Sequence, residues 1–322
     1  MSEVFKPVFY LKGAFTQTML ASSSIRKWGH IPMAESAKEV MLHLSEGIRL
    51  QGFYSPQVRE AKGLVVLLTG WEGSAASAYI LSTGKFLYNN GYAVFRLNFR
   101  DHGDSHHLNS GLFFATLLDE VFEAVQQASE YEKNLPLFLA GFSLGGNFAL
   151  RIARKCAESP IENLTYVVSI SPVLHPEKST HAIDRLVYIR RYFLKKWRRS
   201  LMKKQRCYPD WYDFREVLSL ESLGVMTDEL INRYSDYENA SAYFSQYALL
   251  NDALVDMAVP TTIVAAKDDP IIPVDDFDNL KLNSLTDLII HRYGGHNGFI
   301  ESLFGCTWYE KKMVEIFNRM AG

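Results

Sequence analysis

Short runs of β-branched and other apolar residues recur along the chain, separated by longer stretches of helical character. Six runs have the length of a strand and are too short for a core helix: 64–69, 92–98, 137–141, 164–170, 261–266 and 287–291. Nearly continuous apolar runs of this length suit a parallel sheet that is covered on both faces. Their alternation with helical stretches predicts a doubly wound α/β fold with a mostly parallel central sheet.

The segments around these runs complete the predicted architecture. Residues 112–129 and 144–157 have helical character, and in the second segment Phe148, Ile152 and Cys156 fall on one face at helical spacing. Residues 38–45 and 48–55 precede the first parallel strand and read as a hairpin. Helices are therefore expected on both faces of the sheet, behind a leading antiparallel pair.

One long segment interrupts the alternation. Residues 177–257 contain no convincing strand and are rich in helical, aromatic and charged residues. Because this segment lies between two predicted strands, it is expected to form a helical cap above the carboxyl ends of the sheet. The predicted division is a core of residues 1–176 and 258–322, with a cap insertion of residues 177–257.

Composition narrows the class of protein. The chain has 322 residues, 48% of them hydrophobic and 22% charged, with a net charge of -2, which is typical of a globular protein and gives no overall attraction to nucleic acid. Three widely spaced cysteines do not suggest a disulfide framework. The amino terminus lacks the basic start and apolar run of a secretory signal. A soluble cytoplasmic protein is expected, and its oligomeric state is not predicted.

The sequence Gly141-Phe142-Ser143-Leu144-Gly145-Gly146 is the most specific motif. It matches G-x-S-x-G and lies between a predicted strand and a predicted helix, where a nucleophilic serine needs small neighbours and a tight turn. The helix amino terminus favours negative charge that develops near the hydroxyl group. The motif predicts Ser143 as a nucleophile.

A serine hydroxyl group needs a base, and candidate partners follow later strands. Asp268 and Asp269 come directly after the strand 261–266, and His296 follows the strand 287–291 between glycines. This order of serine, acid and histidine at the carboxyl ends of strands predicts a catalytic triad. His296 is the expected general base, and both aspartates are candidates for orienting it.

Two backbone N–H groups are expected to stabilise an oxyanion. One is that of Leu144, the residue after the nucleophile, and the other is that of Trp71 in the loop 69–74. No metal and no cofactor are expected. Residues 100–107 concentrate histidine and aspartate, but their spacing fits no familiar set of metal ligands.

Residues 185–206 contain ten basic residues and no acidic residue. Ile189, Phe193 and Trp197 form an apolar stripe at helical spacing in this segment. One interpretation is a solvated cap helix that packs through the stripe. Another is contact with an anionic membrane surface or with a substrate headgroup; at a membrane, Phe193 and Trp197 would enter the interface. Nucleic acid is the least favoured partner. Aromatic residues elsewhere could line an acyl pocket or belong to the core: Phe113, Phe114, Tyr243, Phe244 and Tyr247.

Along nearly its whole length the chain resembles the α/β-hydrolases, and within them the YheT-like branch. The resemblance is carried by the nucleophile, acid and histidine motifs, by residues 70–74 with Tyr79, and by residues 100–105, which are similar to an RGHGxS turn. The family usually places its acid directly before an x-hydrophobic-hydrophobic-Pro run, which favours Asp269 over Asp268. Thr69 stands where the branch usually has histidine.

The resemblance implies a serine hydrolase that cleaves a small, lipid-like carboxylic ester through an acyl-enzyme. Two alternatives remain open: an acyltransferase that passes the acyl group to an alcohol or thiol, and a non-catalytic ligand-binding member of the fold. The three catalytic side chains in order favour an enzyme, because a binding protein does not require them.

Overall fold

The computed structural model describes residues 5–303 and 305–321. Within these residues, eight strands form one sheet in the order β1-β2-β4-β3-β5-β6-β7-β8. The strands are β1 (Lys38–His43), β2 (Arg49–Ser55), β3 (Leu64–Leu68), β4 (Ala93–Leu97), β5 (Leu137–Phe142), β6 (Leu164–Ile170), β7 (Thr261–Ala266) and β8 (Thr286–His291). The predicted core also includes residues 1–4, 304 and 322, which lie outside the described residues.

The sheet is antiparallel only at one edge. Strand β2 pairs antiparallel with both β1 and β4, and every pair from β4 to β8 is parallel. All residues of β3, β4, β5 and β7 are buried, because both faces of the sheet are covered. This confirms the predicted fold class, a mostly parallel α/β sheet preceded by a hairpin.

Ten α-helices accompany the strands within the described residues. They are α1 (Ala14–Ala21), α2 (Pro32–Glu35), α3 (Ala78–Asn89), α4 (Leu118–Ser129), α5 (Leu144–Lys155), α6 (Pro176–Arg185), α7 (Val187–Cys207), α8 (Leu223–Tyr234), α9 (Ala240–Ser245) and α10 (Trp308–Met320). Alternate residues of β3 enter two apolar cores: Val66 packs with α4 and α5, whereas Val65 packs with α3 and α10. The helices therefore cover both faces.

Helices α6 to α9 are inserted between β6 and β7. Residues 177–257 contain no strand and only one isolated bridge, between Leu254 and Leu282. The apolar residues of these helices join the core on the α5 face of the sheet. The division of the chain into a core and a cap stays a prediction.

Among the described residues, no helix has both the length and the apolar character required to cross a lipid bilayer. Helix α7 is long enough, with 21 residues, but its basic residues leave it with too little apolar character.

The helix predicted over 112–129 was wrong at its start, since α4 begins at Leu118. The preceding backbone is held by side chains from distant segments. The N–H group of Ala115 donates to the Tyr243 hydroxyl group at 2.9 Å, and the Ala115 carbonyl accepts from Arg151 at 2.7 Å. These contacts compete with the i to i−4 hydrogen bonds of a helix.

A buried ion pair joins α7 to the loop after β4. The Lys204 ammonium group donates to Asp101 Oδ1 and to the carbonyl groups of Asn109 and Gly111, each at 2.7 Å. Its side chain is only 1% exposed. The three acceptors satisfy every N–H of the buried charge, so the pair fixes the position of α7.

We expect Lys204→Ala to lower the free energy of unfolding by about 3–5 kcal/mol, because it leaves the Asp101 carboxylate buried without its cation. Lys203→Ala is the matched control. Lys203 pairs with Asp104, whose side chain is 91% exposed, and its loss should cost less than about 1 kcal/mol. Urea denaturation of the three proteins measures both effects, and equal losses would contradict the assignment.

Candidate active site

Ser143 lies at the turn between β5 and α5. Its backbone has φ 54° and ψ −116°, a conformation that is costly for a residue other than glycine. A Cβ atom at Gly141 would lie 2.1 Å from the Gly145 carbonyl oxygen, and one at Gly145 would lie 2.4 Å from the Thr69 carbonyl oxygen. Only glycine fits these positions, so the motif forms the tight turn that the sequence predicted.

His296 and Asp269 are in contact. His296 Nδ1 lies 2.9 Å from Asp269 Oδ2, and both side chains are buried. The Asp269 carboxylate also accepts hydrogen bonds through Oδ1 from the N–H groups of Ile271 and Ile272, at 2.8 and 3.0 Å. These donors hold the carboxylate in place, and the carboxylate can fix the tautomer of the histidine ring.

Asp268 has a different role in the same turn. Its Oδ1 accepts a hydrogen bond from the Gly295 N–H group at 2.9 Å, and its Oδ2 has no partner among the described residues. Burial raises the pKa of Asp268. Asp268 therefore contacts the backbone of the histidine loop, whereas Asp269 contacts the imidazole ring.

The loop that carries His296 is attached to β6, the strand beside Ser143. The Asn297 N–H group donates to Ser171 Oγ at 3.3 Å, and the Ser143 N–H group donates to the Ile170 carbonyl at 2.9 Å. Within the part of the chain that the structure describes, no hydrogen bond joins Ser143 Oγ to His296. Contacts of this kind are often long in unliganded enzymes and shorten when substrate binds.

The loop after β3 runs directly against Ser143. A Cβ atom at Gly70 would lie 3.2 Å from Ser143 Cβ. The N–H groups of Trp71 and Leu144 have no acceptor among the described residues, so both are free to bind an oxyanion. The structure brings both predicted donor residues to the cavity that contains Ser143.

The backbone of Glu72 is held from two sides. Glu72 has φ 55°; its N–H group donates to His102 Nε2 at 3.1 Å, and its carbonyl group accepts from Lys196 Nζ at 2.9 Å. The Trp71 ring stacks on Phe193, with ring centroids 5.6 Å apart. Because Lys196 and Phe193 belong to α7, the inserted helices take part in fixing the loop that carries the Trp71 N–H group.

Thr69 takes part in a small hydrogen-bond network where the branch usually has histidine. Its Oγ1 lies 2.9 Å from the Tyr79 hydroxyl oxygen, which accepts a hydrogen bond from the Gly70 N–H group at 3.0 Å. The threonine and the tyrosine thus stabilise the start of the loop.

His102 and His106 form hydrogen bonds that connect the loop after β4 to neighbouring segments of the site. His102 Nδ1 lies 2.8 Å from the Arg100 carbonyl oxygen, which leaves Nε2 as an acceptor, and burial lowers the pKa of His102 to about 4. His106 Nε2 contacts Ser200 Oγ on α7 at 2.8 Å. Among the described residues, no group of three or more His, Cys, Asp or Glu side chains could hold a metal ion.

The roles of Glu72, His102 and Lys196 were missed in the sequence. His102 belongs to the segment 100–105, which is similar to the RGHGxS turn of the family. This similarity indicates a structural role, but it does not identify the group that His102 contacts. In the sequence, Lys196 is one of the ten basic residues of 185–206, and no sequence feature distinguishes it from the exposed ones.

A cavity of about 130 Å³ opens at Ser143 and extends beneath the inserted helices. Most of its wall is apolar. Five aromatic residues, for which the sequence allowed either an acyl pocket or the core, line this cavity: Phe113, Phe114, Tyr243, Phe244 and Tyr247. Glu72, Asp101, Ser200 and Lys204 form a polar part of the wall. Burial raises the pKa of Glu72 to about 8, so this carboxyl group is mostly neutral at pH 7.

The sheet, the serine turn and the histidine–aspartate contact define the α/β-hydrolase class. The family profile described as "Serine aminopeptidase, S33" matches residues 59–283. The chain therefore belongs to this hydrolase family, within the α/β-hydrolase superfamily. Its placement in the YheT-like branch stays a prediction.

Individual proteins agree with this class. The chain is 25% identical to an abhydrolase domain-containing protein of Dictyostelium discoideum, over 98% of this chain and 80% of that protein. It is 22% identical to mouse phospholipase ABHD3, over 80% of this chain and 63% of that protein. A Pyrococcus furiosus esterase has a similar structure, with a TM-score of 0.56 and 17% identity over 89% of this chain and 91% of that one.

We expect Asp269→Asn to lower turnover by about 10⁴-fold, because an amide at this position favours the wrong tautomer of His296. Asp268→Asn is the matched control. Its amide oxygen can still accept from the Gly295 N–H group, so its loss of turnover should be far smaller. Steady-state kinetics of both variants gives the ranking, and a reversed ranking would move the acid to Asp268.

Proposed function

We propose that the protein is a serine hydrolase that cleaves carboxylic esters through an acyl-enzyme. The single observation that best supports this is the contact between His296 Nδ1 and Asp269 at 2.9 Å, on a loop attached beside the Ser143 turn. Two free N–H groups at the same cavity supply the remaining requirement of acyl transfer.

The proposed reaction has two halves. His296 Nε2 takes the proton of Ser143 as the hydroxyl oxygen attacks the ester carbonyl, and the N–H groups of Trp71 and Leu144 stabilise the oxyanion. His296 then gives the proton to the leaving alcohol. Water, activated by the same histidine, attacks the acyl-enzyme and releases the acid and free Ser143. Asp269 stabilises the imidazolium ion in both halves.

We further propose that residues 177–257 act as a cap over the substrate. Leu230 and Phe244 of these helices line the same cavity as Ser143 and Leu144. An apolar wall of this kind suits an acyl chain. The names of the relatives, a phospholipase and an esterase, support a lipid-like ester as the substrate class.

The charges of the cavity favour an ester over a peptide with a free amino terminus, although the family profile takes its name from an aminopeptidase. A substrate with a free α-amino group needs an unpaired carboxylate to bind the ammonium ion. Asp101 is already paired with Lys204, and Glu72 is largely neutral at pH 7 with Lys196 nearby. Neither residue offers a free negative charge.

The nucleophile is tested with a fluorophosphonate probe. We expect the wild-type protein to be labelled, and Ser143→Ala to lose labelling and to lower esterase turnover by about 10⁴- to 10⁶-fold. Ser179→Ala is the matched control, because Ser179 is another serine of the cavity wall and should leave labelling intact. Labelling that survives in Ser143→Ala would refute the assignment.

Substrate preference is tested with nitrophenyl esters of increasing acyl length and with aminoacyl nitroanilides. We expect the highest kcat/KM for uncharged esters of short or medium chain, because the wall around Ser143 is aromatic and aliphatic. Analysis of products with added alcohol separates hydrolysis from acyl transfer. Equal activity from acetate to long esters, together with strong aminopeptidase activity, would contradict this preference.

A further inference from the structure

The apolar stripe of α7 does not face solvent. Trp197 and Phe193 pack on Trp71, with ring centroids 4.9 and 5.6 Å apart, and all three rings line the cavity. The interpretation that Phe193 and Trp197 would enter a membrane interface is therefore wrong. Any interface at this helix must use other side chains.

A second stripe of α7 is exposed. Tyr188 is 76% exposed and Tyr192 is 39% exposed, and Arg191 and Lys195 are exposed between and after them. Residues 188, 191, 192 and 195 have the spacing i, i+3, i+4 and i+7, which places them on one face of a helix. This face combines aromatic rings with positive charge.

The amino-terminal segment extends this face. Phe9 is 81% exposed and Phe15 is 51% exposed, and Tyr10 and Met19 are also exposed. The Phe15 ring lies 6.4 Å from the Tyr188 ring, edge to face, so the two segments meet. We call the exposed set the aromatic–basic surface: Phe9, Tyr10, Phe15, Met19, Tyr188 and Tyr192, with the cations Lys6, Lys12, Arg185, Arg191 and Lys195.

The two segments contain no acidic side chain. Residues 5–34 carry four Lys and Arg residues and no Asp or Glu, and residues 185–207 carry ten and none. A nearby acid, Glu301, is paired with Lys311. The net charge of the whole chain is -2, so the positive charge is concentrated locally at this surface.

We propose that the aromatic–basic surface docks on a lipid membrane that contains anionic lipids. Exposed aromatic rings of Phe and Tyr favour the boundary between headgroups and acyl chains, and surrounding Lys and Arg side chains are attracted to anionic headgroups. The combination fits a lipid surface better than a protein partner, because aromatic rings and cations share one exposed face of α7 at residues 188, 191, 192 and 195. The proposal does not depend on the proposed activity.

The surface is joined directly to the histidine side of the candidate site. The His296 N–H group donates to Thr18 Oγ1 of α1 at 2.9 Å, and the Ile300 N–H group donates to Gln17 Oε1 at 2.8 Å. A Cβ atom at Gly295 would lie 2.4 Å from the Ala14 carbonyl oxygen. Docking through α1 and α7 therefore brings this side of the site close to the lipid headgroups.

Vesicle co-sedimentation of the full chain tests the proposal. The probes are vesicles of phosphatidylcholine with phosphatidylglycerol, and vesicles of phosphatidylcholine alone, each at low and high sodium chloride. We expect binding to the anionic vesicles that weakens with salt. The charge variant Arg185→Gln, Arg191→Gln and Lys195→Gln should weaken it about 10- to 100-fold. Lys196 and Arg198 are left unchanged, because each donates to a backbone carbonyl.

Two further variants distinguish docking through this surface from a general effect of net charge on vesicle binding. Lys38→Gln, Arg59→Gln and Lys133→Gln remove the same charge from exposed positions outside the surface and should bind like wild type. Phe15→Ser with Tyr188→Ser should lose the binding that persists in high salt. Thermal melts establish that each variant is folded.

Several results would overturn the proposal. One is the absence of binding to anionic vesicles at low salt. Another is an equal weakening of vesicle binding in the two charge variants. A third is a concentration-dependent dimer that Phe15→Ser with Tyr188→Ser abolishes, which would assign the surface to a second copy of the chain. Ser143→Ala should bind vesicles like wild type, so a failed esterase assay and a failed docking assay remain distinguishable.

Discussion

The candidate site depends on the backbone of Ser143, held at φ 54° and ψ −116° between a strand and a helix. Such a conformation costs about 1–3 kcal/mol and persists only where the surroundings enforce it. The enforcement comes from the fully buried strand β5, from the close contact of Gly141 with Gly145, and from the hydrogen bond of the Ser143 N–H group to β6. The parallel sheet thus supplies the rigidity that the turn requires.

The same helix that follows Ser143 also anchors the inserted segment. Asn147 Nδ2 donates to the carbonyl groups of Val173 and Tyr247, each at 2.8 Å. These two acceptors lie before α6 and after α9, so one buried amide holds both ends of the insertion. Together with the Lys204–Asp101 pair, it sets the position of the helices that line the cavity.

Much of this arrangement could be predicted from the sequence, because its signals are local. The strands could be predicted because a sheet that is covered on both faces requires nearly continuous apolar runs. The serine turn could be predicted because the positions of Gly141 and Gly145 admit no side chain. The start of α4 was missed because Tyr243 and Arg151, distant in sequence, hold the backbone at Ala115. Likewise, periodicity marked Phe193 and Trp197 as one stripe, but only the packing of α7 on Trp71 shows that the stripe faces inward.

The hydrogen bond from Lys196 to the Glu72 carbonyl has a consequence for protein engineering. One loop of the site is shared between the sheet and α7, so the inserted helices are not an exchangeable module. A chain shortened to the sheet and its covering helices would leave the Glu72 carbonyl without its cation and the Trp71 ring without its stacking partner. A transplanted insertion would have to supply both contacts again before the loop could keep its shape.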